Sequence, residues 1–211
     1  MYYEEEKSVL ILTAMLLLSC ISINAFATFD QAKAQRYADT YALSSNSLYR
    51  YWPDNDCTNF VSQCLYAGGM KECDDWYYNN ALSQSATWIQ ANQLKEYLKN
   101  DVKATLLGRW KKTSGKNSYG TQYYAYVNNS NNIKGLGSEI IFYDWEDDGK
   151  MNHASIVVGT NEPKDDPNGP GVGDLIDAHT KARKWQYWHL DGHNKYKLST
   201  AIYAYRLPST I

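Results

Sequence analysis

Four residues in this chain are candidates, by type and spacing, for breaking an amide bond. They fall in three short segments: Cys57 in DNDCTNFVSQCLYAGG, His153 in HASIVVGT, and Asp177 with His179 in LIDAHT. Cys57 follows Asp56, a good helix N-cap, so its sulfur falls in a first turn where unpaired amide N–H groups and the helix dipole favour the thiolate. His153 opens an apolar run directly after the polar turn DWEDDGKMN, which puts an imidazole at a strand end able to face that helix start. A thiol beside an imidazole performs nucleophilic acyl transfer, with the base taking the thiol proton and returning it to the leaving amine. Asp177 and His179 are two apart on the next strand and share a face, so either could accept the imidazole N–H. The Cys57 backbone N–H, at the helix start, is the expected oxyanion donor. Tyr51 and Trp52, shortly before the nucleophile, are candidates to line a substrate groove. The plainer alternative for Cys57 is a small buried apolar side chain.

The other cysteines sharpen this reading. Cys64 is seven residues beyond Cys57, and seven steps of ~1.5 Å give roughly 10 Å, past the ~7 Å Cα limit for a disulfide. Cys73 lies after the Gly68-Gly69 break, where the chain can fold back. Cys64–Cys73 is therefore the feasible bridge, and Cys57 the thiol left over.

Two further motifs carry less. Asp144, Glu146, Asp148 and Gly149 match the first half of a calcium loop, but its twelfth position is Ser155 where a bidentate Glu belongs, which favours a bare turn. No CxxC or HExxH spacing supports zinc, His189 and His193 flank a turn-like segment that reads as solvated, and neither metal nor cofactor is expected. The NNSNN run at 128–132 reads as a loop, with a substrate-contacting rim as its functional alternative.

The elements that must position these residues follow from periodicity. Phe29 to Ala42 spaces its Ala and Tyr residues as an amphipathic helix capped by Asp30, and the Cys57 segment predicts a second helix ended by Gly68-Gly69. Trp88 to Asn100 predicts a third, and Val102 to Gly137 has no clear period. From Glu139 onward EIIFYDW, HASIVVGT, GDLIDAHT and TAIYAYRL read as strands. Helices first and an antiparallel sheet afterwards make an α+β domain.

Asp56-Cys57-Thr58-Asn59-Phe60-Val61-Ser62-Gln63, closed by Ala67-Gly68-Gly69, together with Ile141 to Trp145 and His153-Ala154-Ser155-Ile156-Val157, resembles the putative amidase domain family. That family is similar to the papain-like cysteine peptidases that include the NlpC/P60 and CHAP peptidoglycan hydrolases. The resemblance runs from about Phe29 to the C-terminus. It implies a papain-like fold, Cys57 as nucleophile, His153 as general base, and the peptide part of bacterial cell wall as substrate, and it leaves Asp177 and His179 competing as orienter. The chain departs from the pattern at Gly137-Ser138-Glu139 and at Asn152.

Composition bounds the rest. With 211 residues and 44% hydrophobic residues, one domain with a sizeable core is expected. Lys plus Arg number 21 against 23 Asp plus Glu, so nothing neutralises a phosphate backbone, and a nucleic-acid partner is not expected. Nineteen Tyr and seven Trp against four Phe give most rings a polar handle. Val9 to Ile23 is an apolar run followed by Ala25-Phe26-Ala27, which reads as a signal peptide over residues 1–27, despite Glu4, Glu5 and Glu6 ahead of it. Leu17-Leu18-Ser19-Cys20 also resembles a lipobox, so the alternatives are a cleaved secreted form, a lipoprotein anchored through Cys20 and an uncleaved anchor helix. Residues 28–211 are then an exported hydrolase domain with no transmembrane segment. A non-catalytic wall-binding module and an amine-acceptor acyltransferase are the competing functions.

Overall fold

The computed structural model describes residues 28–116, 122–126, 133, 135, 137–163, 172–190, 192–196 and 198–211. The expected signal peptide, Cys20 and the NNSNN run lie outside these residues. Helix α1 (Gln31–Tyr41) starts as expected at Asp30, whose carboxylate accepts the Lys33 N–H, and buries Ala34 and Ala38. Helix α2 (Cys57–Ala67) is buried on every side from Cys57 to Leu65. A helix enclosed in this way must satisfy its polar side chains internally. Asn59 donates to the Arg50 carbonyl and to Asp56, and accepts the Trp88 indole N–H. Ser62 bridges the Trp88 carbonyl and the Trp76 indole, and Gln63 accepts the Tyr37 hydroxyl. At the far end Gly69 takes φ of 99°, and an added Cβ on Gly68 would fall 2.4 Å from the Phe29 ring, so both glycines of the stop signal have a physical reason.

A short hairpin, β1 (Tyr78–Asn80) with β2 (Ser83–Gln84), leads to α3 (Ala86–Ile89) and α4 (Ala91–Asn100). The single helix expected over Trp88 to Asn100 is thus two, because Gln90 is extended and Ser85 caps a separate first turn. The segment without a period contains two strands, β3 (Thr105–Lys116) and β4 (Gln122–Tyr126). Strands β5 (Ile140–Asp144), β6 (His153–Pro163), β7 (Val172–Ala178) and β9 (Ala201–Arg206) fall where alternation predicts them, and β8 (Arg183–Tyr187) is an addition. All pair antiparallel in the order β4-β3-β9-β5-β6-β7-β8.

The sheet divides the core. Ala154, Ile156 and Val158 of β6 face α1, α2 and α4, whereas Val157, with Tyr143, Ile176 and Trp188, builds a second apolar layer on the opposite face. The domain is α+β, as expected. No helix among the described residues is long and apolar enough to cross a membrane. The expected Cys64–Cys73 bridge does not form: Cys64 is sealed inside α2, while Cys73 is exposed with its sulfur 3.2 Å from the Tyr97 hydroxyl.

Candidate active site

The ladder between β6 and β7 runs to the pair Ile156–Asp177 and stops, leaving the Ala154 N–H without a strand partner. The N-terminus of α2 fills that gap. The Cys57 sulfur lies 3.7 Å from the Thr58 hydroxyl, with the Ala154 N–H and the Thr180 hydroxyl beside it. Cys57 and His153 line one cleft of about 370 Å³, together with Trp145, Asn152, Thr180 and Arg183.

The α2 start is held in an unexpected way. Asp56 occupies the N-cap position but makes no capping bond of its own. Its Oδ1 instead accepts the Trp52 N–H and the Asn59 amide, and its Oδ2 lies 2.5 Å from His179 Nδ1. The capping oxygen comes from Thr180, whose Oγ1 accepts the N–H groups of Asp56 at 2.8 Å and Cys57 at 3.1 Å. The Cys57 N–H expected to serve an oxyanion is therefore engaged by Thr180. Thr180 reaches this position from the β7–β8 turn with φ of 60°, followed by Lys181 at 66°. A β-branched residue in the left-handed region carries about 1–3 kcal/mol of strain, held here by two hydrogen bonds to its hydroxyl.

Burial governs the electrostatics. It pushes the Cys57 thiol above its ordinary value, and the N–H groups of Ala154 and Thr58 with the two hydroxyls recover only part of this. The helix start does not yield the depressed thiol that the sequence leads one to expect, because desolvation of a fully enclosed sulfur outweighs it. Burial, with the nearby Arg183 charge, holds His153 down at about 3, so its imidazole is neutral near neutral pH. The His153 ring stacks on Trp145 at 5.7 Å and leans on Tyr143, and its Nε2 is buried without a hydrogen-bond partner. What the site contains at rest is a neutral thiol and a neutral base.

The expectation that Asp177 or His179 orients this imidazole is not met. Both face the helices, whereas His153 lies on the opposite face of β6. Asp177 Oδ1 accepts the Trp185 N–H, and its Oδ2 is buried without a partner. His179 is committed through Nδ1 to Asp56 and through Nε2 to the Tyr41 carbonyl at 2.8 Å, and it stacks on Phe60 at 4.1 Å. Tyr51 and Trp52 are not among the cleft residues. Tyr51 stands edge-on to His179 and Trp52 carries the Arg50 guanidinium on its ring, so both brace the loop ahead of α2. Asp54 and Asn55 border the cleft in their place.

The remaining candidates have local explanations. The Asp144 carboxylate accepts the N–H groups of Asp148 and Gly149, which closes the acidic turn on itself. No cluster of metal-ligating side chains occurs among the described residues. His189 is buried against Tyr187 rather than solvated, and His193 borders the cleft with Nε2 on Gln186. Glu139 is buried in an ion pair with Arg206 and accepts the Gly137 N–H. Thr180 and Arg183 are cleft-lining side chains that sequence reading passed over; the one signal for Thr180 was its place directly after LIDAH.

A family model described as a putative amidase domain matches residues 28–203. The uncharacterized protein YhbB of Bacillus subtilis (strain 168) is 31% identical over 174 residues, covering 80% of this chain and 47% of the relative. A second uncharacterized protein of that organism, YjcM, is 34% identical over 133 residues, covering 59% of this chain and 26% of the relative. The chain thus spans about half or less of the curated relatives it matches. No solved structure matches it.

Proposed function

The chain belongs to the putative amidase domain family, and from that premise we propose that it is a cysteine-dependent amidase of papain-like fold, working through a thioester. The observation that carries this reading is the shared cleft: a thiol at the start of a buried helix and an unpaired imidazole at the start of a strand open onto the same space. As the Cys57 sulfur attacks the amide carbonyl, His153 takes the thiol proton, which suits a pair that is neutral at rest. Collapse of the tetrahedral adduct breaks the C–N bond, and the same proton goes to the departing amine. Water, deprotonated by His153, then attacks the thioester, releasing the carboxylic acid and restoring the thiol.

Asp56, His179 and Thr180 act in this scheme by holding the α2 start. They replace the orienting role that sequence reading gave to Asp177 or His179. The substrate class proposed is the peptide part of bacterial cell wall, supported by the resemblance to wall hydrolases. Export is supported by the apolar run at 9–23 and its small-residue cleavage pattern.

The test is hydrolysis of purified wall peptides and of fluorogenic peptide amides by the wild type, Cys57→Ala and His153→Ala. Loss of the base is expected to lower the rate by about 10²–10⁴-fold, and loss of the thiol to abolish turnover. A rapid-quench experiment should capture an acyl group on Cys57. Hydrolysis that survives Cys57→Ala would refute the reading, as would products formed only when an amine acceptor replaces water.

A further inference from the structure

Arg183 is a half-buried guanidinium on the wall of the cleft, and among the described residues no carboxylate pairs with it. Among the described residues its hydrogen bonds are long ones from Nη1, to the carbonyls of Thr180 at 3.4 Å and Lys181 at 3.3 Å. Burying a cation without a counter-ion is unfavourable, and the planar fork of Arg is the group best matched to two carboxylate oxygens. Lys181 and Lys195 border the same cleft, and among its described residues Asp54 is the one carboxylate. In a chain whose acidic and basic residues nearly balance, this is a local concentration of positive charge beside the reacting pair.

We propose that Arg183, assisted by Lys181 and Lys195, forms a carboxylate-binding subsite of this cleft, so that the amide substrate is a peptide bearing a carboxylate close to the scissile bond. The proposal rests on the amidase reading for the word substrate and on geometry alone for the subsite. It has a consequence for catalysis. Arg183 disfavours a proton on His153, so a carboxylate that neutralises the guanidinium makes His153 a stronger base when the correct ligand is bound.

Two measurements on the full chain test it. In the first, Cys57 is alkylated with iodoacetate and with iodoacetamide, and the products are mapped by mass spectrometry, with exposed Cys73 as an internal clock. The subsite should raise the iodoacetate-to-iodoacetamide rate ratio at Cys57 by about tenfold over that in Arg183→Gln, while the ratio at Cys73 stays fixed. Lys181→Gln, at an exposed position that carries no fold risk, should lower the ratio by a smaller factor. In the second, Cys57→Ala is titrated with N-acetylglutamate α-amide, N-acetylglutamine and neutral N-acetylglutamine α-amide, following the Trp145 indole N–H by NMR. A preference of about fivefold or more for a carboxylate-bearing compound, lost with Arg183→Gln, supports the subsite. Which compound is preferred tells a side-chain carboxylate from a terminal one. Equal binding of all three compounds, or equal ratios in wild type and Arg183→Gln, would overturn it. Carboxylate-selective binding in a protein that hydrolyses no amide would sink the amidase reading and leave the subsite standing; hydrolysis without selectivity would do the reverse.

Discussion

Asp56 Oδ2 and His179 Nδ1 meet at 2.5 Å across 123 residues of sequence, with side chains only 1% and 4% exposed. The Tyr41 carbonyl can only accept, so His179 Nε2 must carry a proton, and the Nδ1–Oδ2 contact needs one more between them. One buried proton-bridged pair therefore ties the start of α2 to the end of β7 and, through Tyr41, to the end of α1.

Removing one member of such a pair leaves the other buried and uncompensated, at about 3–5 kcal/mol. Asp56→Asn and His179→Ala should each lower the unfolding free energy in urea by that order, with the double variant much less destabilised than the sum. Because the pair acts on the placement of Cys57 and not on the base, kcat should fall while the midpoints of the pH–rate profile stay with His153 and Cys57. Additive losses, or a limb of the profile that disappears with His179, would restore His179 to the triad.

Thr180 makes a sharper case. Its hydroxyl caps the Asp56 and Cys57 N–H groups from a left-handed backbone. Thr180→Ala leaves two donors at a buried helix start unsatisfied and should cost about 1–2 kcal/mol, with slower alkylation of Cys57. Thr180→Ser keeps the oxygen, removes the β-branch, and should match or exceed the wild-type stability. Equal effects of Ala and Ser would show that the methyl group, through packing, is what matters.

The sequence made α1, α2 and the strands from β5 onward legible because their signals are local: Asp30 ahead of an Ala-rich stripe, Gly68-Gly69 at the stop, alternation through HASIVVGT. β3 was hidden because its register shifts between Leu106 and Gly108, where the Trp110 ring fills the space a side chain would need. That Cys57 and His153 would share a cleft was legible from spacing and residue type. The partners of His179, the capping by Thr180 and the lone charge of Arg183 were not, since each depends on how a turn 123 residues away docks on α2. The thiol itself misled: helix starts favour thiolates, but how deeply one is buried is a tertiary property.

Cysteine chemistry separates the two pictures of the chain. With Cys57 pushed up by burial and Cys64 higher still, native alkylation of the residue 28–211 chain near neutral pH should be fastest at Cys73. Cys57 should follow with a midpoint above the ordinary thiol value of about 8.5, and Cys64 should react only on unfolding. Mass spectrometry without reductant should count three thiols. A Cys64–Cys73 crosslink in non-reduced digests would contradict the structure.

Acid stability offers a test in which the sign itself is diagnostic. Burial, reinforced by the Asp39 charge, lifts the Asp177 carboxyl from 3.8 to about 7. Between those values the folded chain holds a proton that the unfolded chain has lost, so this residue's contribution is complete below about pH 4 and is lost as pH rises to 7. His153, depressed from 6.5 to about 3, behaves oppositely: its contribution is complete above 6.5 and is lost as pH falls toward 3. Each is worth on the order of 4 kcal/mol, and over the shared window the two slopes oppose. In urea unfolding between about pH 4 and pH 7, Asp177→Asn should become steadily more stable with rising pH and exceed the wild type at pH 7. His153→Gln should become steadily less stable over the same range. Variant profiles that run parallel to the wild type would mean that neither group is sealed from water in the folded protein, and the neutral resting pair would fall with them.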